Sequence, residues 1–297
     1  MNIFYTKTYN MGGTNAVKQE IVEVSARKLG YDEISLFKFD DQSDSDEELK
    51  IRMEAITSPV TAGSTVIFQY PSMVGGRYDR FLTDALKKHQ DLKLIFFVED
   101  FGFEIYKEKY PDIENEIELL NRADLLILQS VQMKEYLKEH GLKEIPVIYQ
   151  VMWDYPYEKV DNVIGSIEKK LEDIRDISEF QAIRRKTAGV CAVSNHNIGY
   201  ENMCNPLVMG YCMALGIPVI TQENTRAAQL VDQYSIGFIC TVENDMHNIV
   251  KTIEDEKMLK IQQHIRNVRK MVQKGMFTRV LLEKAVFKVN ENACIMR

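Results

Sequence analysis

The chain has 297 residues, 45% of them hydrophobic, and a formal net charge of −7. That length accommodates two ordinary domains or one large one. The acidic balance, with no basic tract, argues against nucleic acid as the main partner, and no 18-residue apolar run is present to span a membrane.

Residues 2–5 read as a short strand, followed by Met11-Gly12-Gly13-Thr14-Asn15 and a helix over 16–29. Strand, glycine loop and helix form the opening step of a nucleotide-type α/β fold. The loop is neither GxGxxG nor GxxxxGK[ST], so a plain tight turn explains it as well as a phosphate cradle does. Strands are expected at 34–39 and 65–70, with an acidic loop at 40–48 leading into a helix that ends near residue 56. The DSD triplet at 44–46 falls in that loop and has no need of a metal. A helix over 79–89 precedes LKLIFFV at 92–98, the most apolar run and hence a central strand. Ligands of open α/β sheets bind beyond the carboxyl ends of strands, which places Glu99 and Asp100 well for chemistry. Either carboxylate could act as general base for an acceptor hydroxyl; the competing explanation is that they cap the next helix. Further elements are a helix at 112–121, a strand at 123–128, a helix at 131–140 and a strand at 146–150.

The stretch 157–186 is charged and glycine-poor. Val160, Val163, Ile164, Ile167, Leu171 and Ile174 fall at helical spacing, so it reads as an amphipathic helix. An exposed stripe of that kind predicts a homo-oligomer. A strand follows at 189–193, then a loop holding His196, Asn197 and Tyr200. The segment NPLVMGYCMALGIPVI, residues 205–220, reads as a helix running into a buried strand. Asn205 is the expected cap, Pro206 the first-turn residue and Gly216 the stop. Beyond it come Thr221 and Glu223, a helix capped by Asn224-Thr225, a strand at 236–240, two helices over 243–254 and 257–274, and a final helix over 277–289. Leu281, Leu282, Ala285 and Val286 would form the buried face of that last helix. The five cysteines, at 191, 204, 212, 240 and 294, form no CxxC pair and are odd in number. Free thiols in a reducing compartment are expected, and with no apolar leader in MNIFYTKTYN the expected location is cytoplasmic.

The 205–220 segment, with FQYPS, LKLIFFVED, LLNRADLLILQS, MKEYLKEHGL and MWDYPY in the same order, resembles a family of bacterial sugar transferases with the GT-B fold. These include the glucosyltransferases that extend glycans on serine-rich-repeat adhesins and galactofuranosyltransferase-like proteins. The likeness runs over about 1–155 and 187–290. It implies two Rossmann-like domains: residues 1–156 on the acceptor side, a reduced 157–275 on the nucleotide-sugar side, and 276–297 as a helix returning to the first domain. The implied substrates are a nucleotide sugar, a UDP-sugar first of all, and a glycan or glycoprotein acceptor, with no metal or other cofactor. The implied donor contacts are Asn205, Leu207 and Val208 at the helix N-terminus, together with Thr221 and Glu223. Gly12, Gly13 and Thr14 would lie on the opposite side of the interdomain cleft, with Glu99 or Asp100 toward the acceptor. Two departures stand out. The family lysine beside the diphosphate aligns with Val208, and no aligned counterpart of the donor arginine is found, Arg184 and Arg185 being the nearest. Loss of both cations is the sequence argument for the other reading, a catalytically degenerate relative acting as a binding or assembly subunit. A Rossmann oxidoreductase would require GxGxxG after the first strand, which Gly12-Gly13 does not supply.

Overall fold

The computed structural model describes residues 2–156, 166–173, 187–193, 199–200 and 202–291. The chain divides into two compact units: one runs from the N-terminus to Tyr149 and resumes at Arg279, and the other is Gln150–Thr278.

The first unit begins with β1 (Ile3–Tyr9), α1 (Gly13–Lys28), β2 (Asp32–Phe37), α2 (Asp46–Thr57), β3 (Thr65–Tyr70) and α3 (Gly76–Leu86). It continues through β4 (Lys93–Val98), a one-turn α4 (Gly102–Ile105), α5 (Ile113–Leu120), β5 (Leu125–Leu128), α6 (Val131–Glu139) and β6 (Val147–Tyr149). The six strands are all parallel, in the order β2-β1-β3-β4-β5-β6. Every residue of β3 and β5 is buried, as strands covered by helices on both faces must be. The DSD triplet proves to be a helix start: Ser45 Oγ accepts from Glu48 N while Glu48 returns the contact to Ser45 N at 2.8 Å, a capping box opening α2.

The second unit contributes β7 (Ser166–Asp173), β8 (Thr187–Val193), α7 (Leu207–Leu215), β9 (Val219–Gln222), α8 (Arg226–Tyr234), β10 (Gly237–Cys240), α9 (Met246–Thr252) and α10 (Asp255–Gln273). Its parallel sheet runs β10-β9-β8-β7. β7 corrects the helical expectation for 157–186 over residues 166–173. The pairing register slips between Ile167 and Leu171, so that four steps along β7 match two along β8. A spacing of four is shared by one side of a strand and one face of a helix, so Ile167 and Leu171 fit both periods in sequence. The helical stripe behind the homo-oligomer expectation therefore does not exist there; Val160, Val163, Ile164, Ile174, Arg184 and Arg185 lie outside the described residues. Gly216 ends α7 at φ +85° in the left-handed region, as a helix stop should. Gly210 lets the chain at Trp153 press on α7: a Cβ there would meet the Trp153 carbonyl oxygen at 2.4 Å.

The last helix, α11 (Met276–Val289), begins in the second unit and passes into the first. Its N-terminus is capped within the second unit by Asp154, which accepts from Phe277 N and, at 2.6 Å, from Thr278 N. Leu281, Leu282, Ala285 and Val286 are buried as expected, while Phe287 is exposed. Just past the helix, Asn290 Nδ2 donates to Thr65 Oγ1 at the start of β3.

The first unit also buries Asp79 on α3, completely. Its Oδ2 accepts from Ser72 N and Tyr110 Oη at 3.2 and 3.0 Å, while Oδ1 has no partner among the described residues. Burial pushes its pKa from 3.8 up to about 7, against the pull of those hydrogen bonds. The folded state thus holds this proton more tightly than the unfolded chain does. Stability should fall as pH rises from about 4 to about 7, then level off. Asp79→Asn keeps an acceptor for Ser72 and Tyr110 and removes the buried charge. Denaturation of this variant should show a gain of up to a few kcal/mol at pH 7, at ~1.4 kcal/mol per pKa unit, and almost none at pH 4.

Candidate functional site

In the first unit, β1 leads through Asn10, at φ +61°, to Gly12, the N-terminal flanking residue of α1. Gly13 sits at φ +73°, where a side chain would strain the backbone. Gly12, Gly13 and Thr14 are exposed, and no atom lies within 4 Å of where a Cβ would stand on either glycine. The turn is open to a ligand.

One turn into α1, Lys18 points inward. Its Nζ donates to Asp100 Oδ2 at 2.6 Å and to the Glu99 carbonyl at 3.3 Å, and both side chains of the ion pair are about nine-tenths buried. Gln129, at the end of β5, donates to the same Glu99 carbonyl at 2.6 Å. The two acids at the end of β4 are therefore held in place from two sides. The capping alternative does not hold, because Phe101 is the N-terminal flank of α4 without a side-chain cap. Glu116 from α5 does that work, accepting from Gly102 N at 2.9 Å and Phe103 N at 3.1 Å. Glu99 is 2% exposed and its Oε1 has no hydrogen-bond partner among the described residues. Burial, with the Asp100 charge adding to it and Lys18 opposing, raises its pKa well above the ordinary carboxylate range. The pair thus divides into an ion-paired carboxylate and a proton-holding one.

In the second unit the expected cap of α7 is different. Pro206, extended at ψ 123°, is the flanking residue, and no side chain caps the helix. Asn205 faces the other way: its Nδ2 donates to the Gln150 carbonyl at 3.2 Å and its Oδ1 accepts from Arg226 Nε at 2.8 Å. With the extended Pro206 as the flanking residue, Asn205 lies one position outside the helix and its amide goes to tertiary contacts. The first-turn N–H groups of Leu207 and Val208 have no intrahelical acceptor. Val208, half-buried, brings no charge.

Arg226 opens α8 directly after Thr225, whose hydroxyl caps that helix. The guanidinium donates to Asn205 Oδ1, Gln229 Oε1 and the carbonyls of Gln150 and Val151. All are neutral, and among the described residues no carboxylate pairs with it. Burial lowers its pKa from the usual arginine value, the mark of a cation drawn out of water without a counter-ion. Thr221 and Glu223 have other duties. The Thr221 hydroxyl donates to the Val193 carbonyl at 3.0 Å and is fully buried, while Glu223 is exposed and its N–H is bonded to Cys240 O.

Sequence reasoning missed Lys18, Gln129 and Arg226. Lys18 lies three and four residues before the buried Ile21 and Val22, so the helical period did place it on the inner face. Arg226 stands at a helix N-terminus, where the dipole disfavours a cation; that mismatch was a legible signal. His196 and Asn197 lie outside the described residues. Among those residues no group of three or more His, Cys, Asp or Glu could hold a metal ion, and no helix is long and apolar enough to cross a membrane.

Two parallel α/β units, the second with fewer strands among the described residues, and a terminal helix counted with the first, form the GT-B architecture of nucleotide-sugar glycosyltransferases. The chain belongs to the glucosyltransferase 3-like family: that family's N-terminal domain matches residues 2–152 and its C-terminal domain residues 187–285. It is similar to Glucosyltransferase 3 of Streptococcus gordonii, 25% identical over 334 residues that cover 97% of this chain and 99% of that one. Glucosyltransferase 3 of Streptococcus parasanguinis is 23% identical over 307 residues, 91% of this chain and 93% of its own. Among solved structures, Anabaena HepE in complex with UDP and glucose shares the fold with a TM-score of 0.57 at 12% identity, over 97% of this chain and 100% of that one. The UDP-forming α,α-trehalose-phosphate synthase of Burkholderia vietnamiensis does so with a TM-score of 0.55 at 8% identity, over 99% of each chain. The chain is a GT-B-type glycosyltransferase.

Proposed function

We propose that the chain moves a hexose from a UDP-sugar to a glycan or glycoprotein acceptor in the cytoplasm, without a metal. The observation that carries the donor half is Arg226, a half-buried guanidinium without a counter-ion among the described residues, bonded to Asn205, the residue leading into α7. The diphosphate supplies the missing negative charge, and the free first-turn N–H groups of Leu207 and Val208 meet it at the positive end of the helix. Arg226 thereby takes over from the cation absent at position 208. The leaving UDP is stabilised by fixed donors rather than by an ion. The family name, and the UDP and glucose bound in HepE, support the nature of the donor. Gly12, Gly13 and Thr14 leave an open turn on the acceptor-binding unit, and of Thr221 and Glu223 only the exposed Glu223 is free to border the donor.

On the acceptor side, Glu99 handles the proton and the Lys18–Asp100 pair fixes it in place. Burial makes Glu99 a stronger base once it has released its proton, which is what abstraction from an acceptor hydroxyl requires. Glu99→Gln should lower kcat by about 10²-fold or more, the usual worth of a positioned acid–base group. UDP should still raise the melting temperature of that variant as it does the parent's. Unchanged kcat would remove Glu99 from the chemistry.

The test of the whole reading is sugar release and transfer across a panel of nucleotide sugars, with UDP-dependent thermal stabilisation measured beside it. Stabilisation by UDP without any turnover would favour the binding-subunit reading, for which Val208 is the specific observation. Val208→Lys then becomes informative. It should tighten UDP binding by about 1 kcal/mol or more, and the gain should shrink with added salt. No gain in a folded variant would mean that this helix turn does not meet the diphosphate.

A further inference from the structure

A cavity of about 560 Å³ lies wholly within the first unit, between the loop around Asp41, the start of α3, the loop before Tyr110, and α5. None of the residues nominated for donor or proton transfer lines it. The volume falls in the ~300–1,000 Å³ range of small-ligand sites.

Its floor is aromatic and fixed. Tyr70 and Tyr110 are buried and meet edge to face with ring centroids 6.5 Å apart. The Tyr110 hydroxyl accepts from Met73 N and donates to Asp79, so its ring cannot swing. The rim is made of planar hydrogen-bonding groups of both signs. Arg77 is committed to Asp46 and to backbone carbonyls, and Arg122 to Asp84 at 2.6 Å. Arg80, Glu108 and Glu118 are exposed and have no hydrogen-bond or ion-pair partner among the described residues. Asp41 also lines the cavity; it is 4% exposed, and its buried Oδ2 accepts no hydrogen bond from the described residues. Gly75 is what makes room for that oxygen, since a Cβ there would come within 2.8 Å of it.

Donors and acceptors thus alternate around an aromatic floor, and a buried acceptor is left without a donor. An anion would meet more carboxylates than guanidiniums, and an apolar ligand would strand the charged rim. A neutral polyhydroxyl ligand satisfies both: its hydroxyls donate to carboxylates and accept from guanidinium, and its C–H faces pack on the tyrosines. We propose that this cavity binds a short neutral oligosaccharide, the glycan part of the acceptor. The role as acceptor rests on the glycosyltransferase reading; the binding of sugar does not.

The test uses the full chain and a panel of neutral disaccharides (maltose, cellobiose, lactose and N,N′-diacetylchitobiose) observed by saturation-transfer NMR and calorimetry. At least one should bind with a Kd of millimolar order or tighter. Arg80→Ala and Asn115→Trp, two changes at exposed rim positions, should each weaken that binding about fivefold or more, with UDP affinity and melting temperature unchanged. The proposal is overturned if no disaccharide binds at ~10 mM, if binding ignores both substitutions, or if UDP displaces the sugar competitively. Sugar binding that is sensitive to the substitutions in a chain that does not bind UDP would sink the donor reading and leave this one standing.

Discussion

Replacing Arg226 with methionine is expected to weaken UDP binding by about 10- to 100-fold, because a hydrogen bond to a charged group is worth ~1.5–3 kcal/mol and each 1.4 kcal/mol is a factor of ten. Methionine keeps most of the stem's packing and removes only the fork. The guanidinium also ties Asn205 to the carbonyls of Gln150 and Val151, so part of the effect could come from loosening that junction. Arg226→Lys separates the two causes. It retains the charge but cannot reproduce the planar fork, so it should recover part of the affinity if charge matters and none if geometry alone does. The salt dependence of UDP binding should flatten in the methionine variant, since one cation fewer faces the phosphates. Wild-type affinity in a folded Arg226→Met protein would show that no diphosphate meets this residue.

The second large effect concerns stability. Lys18→Met should destabilise the first unit by about 3–5 kcal/mol, the usual cost of leaving one member of a buried ion pair behind. Asp100 would keep its charge about nine-tenths buried with its lysine gone. Because the chain has two units, a single melting curve is a poor readout. Hydrogen exchange of the β4 and β5 amides reports on the first unit directly. Adding Asp100→Leu to Lys18→Met should restore a good part of the loss, since an apolar pair can replace a buried ion pair at little cost. A single variant as stable as the parent would mean that the pair is solvated in solution and does not fix Glu99.

Much of the architecture was readable because local and tertiary preferences agree. The run LKLIFFV is buried almost throughout, as a strand with helices on both faces must be. The terminal helix shows its face at three- and four-residue spacing. Gly216 stops α7 because a left-handed end tolerates it best. Where reading failed, a local rule gave way to something further off. In β7 the four-residue spacing of Ile167 and Leu171 suits a strand as well as a helix, and the pairing with β8 decides for the strand. Asn205 looked like a cap but is occupied by Gln150 and Arg226, partners 55 and 21 residues away. At the candidate site, Glu99 and Asp100 could be named from their place at a strand end, but Lys18 is 82 residues from Asp100 and only folding brings them together. Val208 reads as a lost cation in sequence; Arg226, the cation proposed in its place, stands on another helix.

The first unit closes only with residues from Arg279 onward, so in chain terms the second unit is an insertion. A ribosome making this protein must finish the inserted unit before the first can be completed. The two ends of the host fold are then brought together by a helix whose own start belongs to the insert. Damage to the final helix would therefore unsettle the N-terminal half before the part of the chain next to it. Conversely, the insert enters and leaves the host at one place in the sequence order, between Tyr149 and Arg279, so it can be exchanged as a cassette while the host fold is kept.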